Sequence, residues 1–150
     1  LKKVLKRVDV FLLNEGEAIK LAREPNIVLA TKKLNEMGPR TVIVKRGEYG
    51  FFMFSHGQYF ILPAFPVADV VEPTGAGDLF AAGFFGYLSR NGSADDFRSL
   101  QEACVHGAVV ASFAIEDFSV RALRRLDWAK VEKRMSDYMQ VVSFAQPKSR

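Results

Sequence analysis

The run Glu72-Pro73-Thr74-Gly75-Ala76-Gly77-Asp78, leading into Leu79-Phe80-Ala81-Ala82-Gly83-Phe84-Phe85, constrains this chain more than any other stretch. A strand-like approach over residues 65–71 enters it, with residues 67–71 as the expected strand. Pro73 and Thr74 break that strand. Gly75 and Gly77 permit backbone angles that a side chain would forbid. Beyond Gly75, apolar residues recur at helical spacing: Leu79, Phe80, Phe84, Tyr87 and Leu88. The first amides of such a helix lack internal partners and carry the positive end of its dipole. Bare glycines let an anion such as phosphate approach those amides. Asp78 then sits as a carboxylate at the mouth of an anion site, a position suited to a general base. Glycine turns followed by Asp are also ordinary helix starts, since Asp complements the dipole. There is no Gly-Lys-Ser/Thr, so the turn is not a P-loop. The third glycine of a dinucleotide fingerprint would fall at Phe80, which excludes that motif as well.

The rest of the chain supplies the frame. Residues 8–13 read as a short strand and residues 18–22 as a short helix. Asn26 caps a helix through Met37, and residues 41–45 form a buried strand. Residues 51–54 and 59–62 flank Ser55-His56-Gly57-Gln58 and read as a hairpin. The helix from Gly75 runs to about Arg90, where Asn91-Gly92 closes it. A helix capped by residues 93–96 continues to about Phe113. Asp127 caps a last helix through about Val142. Strands alternating with helices predict an α/β fold with a mostly parallel sheet covered on both faces. The hairpin adds an antiparallel edge. Ligands in such sheets bind beyond the carboxyl ends of the strands. Asn14, Lys45 and the Thr74 turn all fall at such ends.

At residues 72–84 the chain resembles the second signature of the ribokinase-like (PfkB) carbohydrate kinases. The resemblance implies an anion hole for the transferred phosphoryl group at Gly75, Ala76 and Gly77, with Asp78 as catalytic base and Thr74 beside the nucleotide. It implies ATP as phosphoryl donor, with Mg2+. The family usually has Asp where this chain has Glu72. That residue helps shape a monovalent-cation loop, so potassium dependence stays open. Asn14-x-x-Glu17 is similar to the family's Asn-x-x-Glu motif, which organises magnesium and phosphates largely through water. An amide and a carboxylate at a strand-to-helix junction suit a hydrated magnesium, and they equally suit a helix cap. Lys45-Arg46-Gly47-Glu48-Tyr49-Gly50 resembles the family's strand and Gly-x-x-Gly turn. It implies nucleotide contacts at Lys45 and Gly47, with Gly50 shaping the turn and Arg46 as a competing phosphate contact. The family's adenine pocket has a helix wall in the place of residues 102–113, which puts Gly107 and Ala108 there. Close helix packing explains the same two residues without a ligand.

The resemblance covers only the C-terminal half of a family member, and Leu1 is not an initiator. The 150 residues are therefore expected to be a single partial domain, the nucleotide-binding half of a kinase. The acceptor would be a sugar or a nucleoside, as in adenosine-kinase-like enzymes. The alternative of another class is a phosphate- or nucleotide-binding module without turnover. An apolar truncation surface would favour self-association, such as a homodimer.

Composition narrows the rest. Thirteen Phe are enough for a sizeable core. The net charge of +4 sits in separated clusters, with no basic recognition helix, so nucleic acid is not an expected partner. No apolar run is long enough to span a bilayer and the start lacks a signal-peptide layout. The one cysteine, Cys104, excludes an intramolecular disulfide and suits a reducing, cytoplasmic setting. With His56 and His106 as the only histidines, a zinc site is not expected, and His106 reads as a satisfied or surface residue.

Overall fold

Alternation of apolar side chains along two short strands sets the centre of the fold. In the computed structural model, which describes residues 2–91, 93–116 and 126–143, β1 (Val10–Asn14) lies parallel to β2 (Thr41–Lys45). Helix α2 (Glu15–Ala22) and helix α3 (Ile27–Glu36) make the crossover between them. A short α1 (Lys2–Leu5) precedes β1. A 3-10 turn at Gly47–Tyr49 leads into β3 (Phe51–Ser55), which pairs antiparallel with β2 and with β4 (Gln58–Leu62). The strand order is β1-β2-β3-β4. The hairpin turn has two residues, His56 and Gly57, with φ of 52° and 73°. Left-handed angles at both positions match the twist of the flanking strands.

Because side chains alternate, the sheet has two cores. Ile43, Phe51 and Met53 face α4 (Ala76–Asn91), α5 (Phe97–Ala114) and α6 (Trp128–Val142), where they meet Phe84, Cys104, Val109 and Tyr138. Val42, Val44, Phe52 and Leu13 face α2 and α3, meeting Ala18, Ala30 and Leu34. The helix starts follow their caps. Asn26 Oδ1 accepts from the amides of Val28 and Leu29, Asp96 caps α5 through the Ser99 amide, and Asp127 caps α6 through the Lys130 amide. Among the described residues, no helix is long and apolar enough to cross a membrane.

The expected strand over residues 67–71 is absent: residues 63–73 are irregular. Pro63 and Pro66 break the approach to it, and its backbone joins no strand of the β1–β4 sheet. The segment runs instead past the end of α5. There the Val71 amide donates to the Ile115 carbonyl at 2.7 Å and the Glu72 amide to the same oxygen at 3.4 Å. Val70 and Val71 are exposed. The apolar run that suggested a strand therefore lies on the surface.

Candidate active site

The turn before α4 is built as its glycines require. Gly75 has φ of 87° and the helix begins at Ala76. The Glu72 carboxylate accepts from the Thr74 amide at 2.9 Å and closes the turn from the outside. Hydrogen bonds from the Thr74 hydroxyl and amide hold that carboxyl below its ordinary pKa. The Ala76 amide donates to Pro73 (3.2 Å) and the Asp78 amide to Gly75 (3.0 Å). Among the described residues, the amides of Gly75 and Gly77 have no such acceptor. They are the two donors left at the positive end of a 16-residue helix. Asp78 stands in the first turn of α4, with its side chain exposed.

Lys45 completes the mouth. It is the last residue of β2 and pairs in register with Asn14, the last residue of β1. Its ammonium reaches α4: a methyl group added at Gly77 would lie 2.6 Å from Lys45 Nζ. Among the described residues, Lys45 makes no ion pair. Its neighbour Arg46 is already committed, since Arg46 Nε bonds Glu15 Oε1 at 2.8 Å and the guanidinium lies over the Tyr49 ring. Of the two cations the sequence left in competition, Lys45 is thus the one at the turn. Gly47 has φ of 57° and open space beside it. Gly50 has φ of 82°, and a side chain there would strike the Leu62 carbonyl at 2.0 Å, so this turn admits only glycine.

Asn14 and Glu17 form a reciprocal capping box. Asn14 Oδ1 accepts from the Glu17 amide at 2.8 Å, and Glu17 Oε2 accepts from the Asn14 amide at 2.9 Å. The cap reading of this pair is therefore realised, and both side chains stay exposed beside Lys45. Among the described residues, no group of three or more His, Cys, Asp or Glu side chains could hold a metal by itself.

Gly107 and Ala108 lie inside the helix layer. A side chain at Gly107 would meet the Phe80 carbonyl at 2.8 Å and its ring at 3.2 Å. Gly83 is equally tight, 2.9 Å from the His106 carbonyl. These small residues let α4 and α5 touch. On the outer side of that contact is an open cavity of about 380 Å³, lined by Gly83, Gly86, Tyr87, His106 and Trp128 among others. His106 stacks on Tyr87 at 4.5 Å, and burial lowers its pKa. The cavity adjoins the second half of α4, away from the Gly75–Gly77 mouth.

Sequence reasoning missed one ion pair at the end of α5. Arg134 on α6 forms a two-point ion pair with Glu116, at 2.8 and 3.0 Å, just past the Ile115 carbonyl that holds Val71. Nothing in the spacing of these residues announces the contact.

Comparison with known proteins bears on the family and the fold. The sequence model of the pfkB family of carbohydrate kinases matches residues 1–125. The chain is 34% identical over 92 residues to the cytidine kinase of Thermococcus kodakarensis, covering 60% of this chain and 33% of that protein. The crystal structure of Thermotoga maritima ribokinase superposes with a TM-score of 0.77 at 24% identity, over 91% of this chain and 45% of that one. Arabidopsis thaliana ribokinase, solved with ribose and ATP, gives 0.77 at 26% identity, over 90% and 43%. The chain thus spans less than half the length of each of these relatives. The match over most of the sequence, at the residues that build this turn and this sheet, means that the chain belongs to the pfkB family of carbohydrate kinases.

Proposed function

We propose that this chain is the phosphate-binding half of an ATP-dependent kinase that phosphorylates an alcohol of a sugar or nucleoside. The observation that carries the reading is the approach of Lys45 Nζ to Gly77 at the start of α4. An ammonium and a helix N-terminus are both positive, and no carboxylate pairs with Lys45 among the described residues. Two positive features converging on one point are stabilised by an anion between them. Phosphate oxygens on the Gly75 and Gly77 amides would supply that anion, with Ala76 shaping the hole and Thr74 at its rim.

Asp78 is the base in this reading. It takes the proton of the acceptor hydroxyl as that oxygen bonds to phosphorus and the bond from the γ-phosphorus to the bridging oxygen breaks. Catalysis of this kind rests on positioning and on fixed donors for the moving charge. Lys45 and the Gly47 turn neutralise charge on the departing nucleotide. Asn14 and Glu17 fit a hydrated Mg2+, which keeps its waters and takes one or two carboxylates along with phosphates. Their capping box leaves lone pairs free on both side chains. Gly107 and Ala108 serve the nucleotide by letting α5 support α4. Titration of the purified chain with magnesium-ATP, beside a Gly75→Val, Gly77→Val variant, tests the reading. Binding lost in the variant supports it. Equal binding by both, or none by the folded parent, overturns the anion hole in this chain.

A second reading of the same geometry is a nucleotide-binding module with no turnover of its own, since amides and an ammonium around one point bind a phosphate without an acceptor. Asp78→Asn separates the two when an acceptor-binding portion is present. Turnover lost with ATP binding kept supports the kinase; unchanged turnover overturns Asp78 as base.

A further inference from the structure

The anion-binding turn is held from behind by a chain of contacts that starts on the last helix. We propose that Arg134 is a positioning residue for the Gly75–Gly77 turn, acting through Glu116 and the Ile115 carbonyl. This rests on the anion-hole reading above for its function, though not for its geometry.

Arg134 Nη1 and Nη2 bond the two Glu116 carboxylate oxygens at 2.8 and 3.0 Å, and Nη1 also reaches Ser112 Oγ at 3.1 Å. The guanidinium lies 3.6 Å from the Phe113 ring centroid and 5.1 Å from that of Phe65. A fork of this kind fixes direction as well as distance, which a lysine cannot do. Ser112, Phe113 and Glu116 bracket the end of α5, and Ile115 lies between them as its C-cap. The Ile115 carbonyl is one of the last of the helix, without an intrahelical donor. It takes the Val71 amide at 2.7 Å and the Glu72 amide at 3.4 Å. Glu72 in turn holds the Thr74 amide, next to Gly75. Phe65, on the other side of Arg134, belongs to the same irregular segment 63–73. That segment has no sheet ladder to fix it; these contacts anchor it toward the turn, and Tyr138 on α6 anchors its start, its hydroxyl donating to the Pro63 carbonyl and its ring meeting Phe65 edge-on. Without the fork, the end of α5 frays, as helix ends do, and the turn loses its backstop.

The test uses amide hydrogen exchange and magnesium-ATP titration on the parent chain and on Arg134→Ala. Exchange at Val71 should rise on the order of tenfold, the loss of about one charge-assisted bond, while Ile43 in the sheet stays protected. Affinity for magnesium-ATP should fall in step, and millimolar guanidinium, but not equal sodium chloride, should restore both. A packing role alone would not respond to guanidinium. Unchanged exchange at Val71 overturns the proposal, as does raised exchange with unchanged ATP affinity. No ATP binding by the parent chain overturns the anion-hole reading, and the role proposed for Arg134 with it. If Arg134→Ala unfolds, Arg134→Lys keeps the charge and the stem without the fork, and is read the same way.

Discussion

Lys45 stands directly opposite Asn14 across the parallel β1–β2 pair, at the carboxyl end of each strand. One register thus delivers an ammonium and an amide to the same edge. A slip by one residue would turn both to the other face. The cation that reaches Gly77 and the cap that starts α2 are therefore placed by the same ladder of hydrogen bonds.

Gly77 and Gly107 should respond oppositely to a methyl group. At Gly77 the obstacle is the far end of Lys45, which can swing aside. Gly77→Ala should leave the melting temperature nearly unchanged and weaken magnesium-ATP binding. At Gly107 the obstacle is the Phe80 backbone at 2.8 Å. Gly107→Ala should cost about 1–3 kcal/mol by overpacking, read by urea denaturation, with the Gly75–Gly77 turn affected only through α4.

The Asn14–Glu17 box separates its two roles by substitution. Asn14→Ala should cost about 1 kcal/mol, the usual value of such a cap. Asn14→Asp keeps a capping oxygen and should retain stability. If Asn14 also serves a hydrated magnesium, its substitution to Asp will alter the magnesium dependence of ATP binding at constant stability. Calorimetry at varied magnesium checks this.

Acid should weaken the chain through its caps. The Asp96 carboxyl is held below its ordinary pKa by hydrogen bonds from the Ser99 hydroxyl and amide. A folded pKa below the unfolded value of about 4 gives stability that is present above that value and lost as pH falls through the folded one. Asp96→Asn keeps a cap without the charge. Its urea midpoint should therefore fall less steeply than that of the parent between about pH 5 and pH 2.

Cys104 should be inert in the native state. It is fully buried, with Sγ 3.6 Å from Met53 Sδ, and burial pushes its thiol pKa well up. Labelling by an alkylating reagent at pH 8 should follow global unfolding, and its rate should rise with urea. Rapid labelling without urea would contradict the packing of α5 on the sheet.

Much of this arrangement was legible in the residues. The buried strand Thr41–Lys45 has the bounds its apolar run implied, and Asn26, Asp96 and Asp127 cap the helices their positions predicted. Such signals are local: a cap or an alternation is complete within a few residues. The hairpin was readable for the same reason. Residues 67–71 misled because apolar composition does not reveal whether a sheet edge is near to receive it. That Arg46 is engaged elsewhere depends on Glu15, 31 residues upstream of it. Arg134 could not be linked to Glu116 at all, since their contact exists only once α6 lies along α5.

The crossing of α4 and α5 has a consequence for how such a site can change over time. Gly83 and Gly107 leave the two backbones no slack, so the axis of α4 is aimed by a contact more than a turn from its mouth. Substitutions elsewhere on α4 can then accumulate without re-aiming its first amides, as long as Gly83 and Gly107 stay small. Direction and surface chemistry are thus set at different positions of one helix.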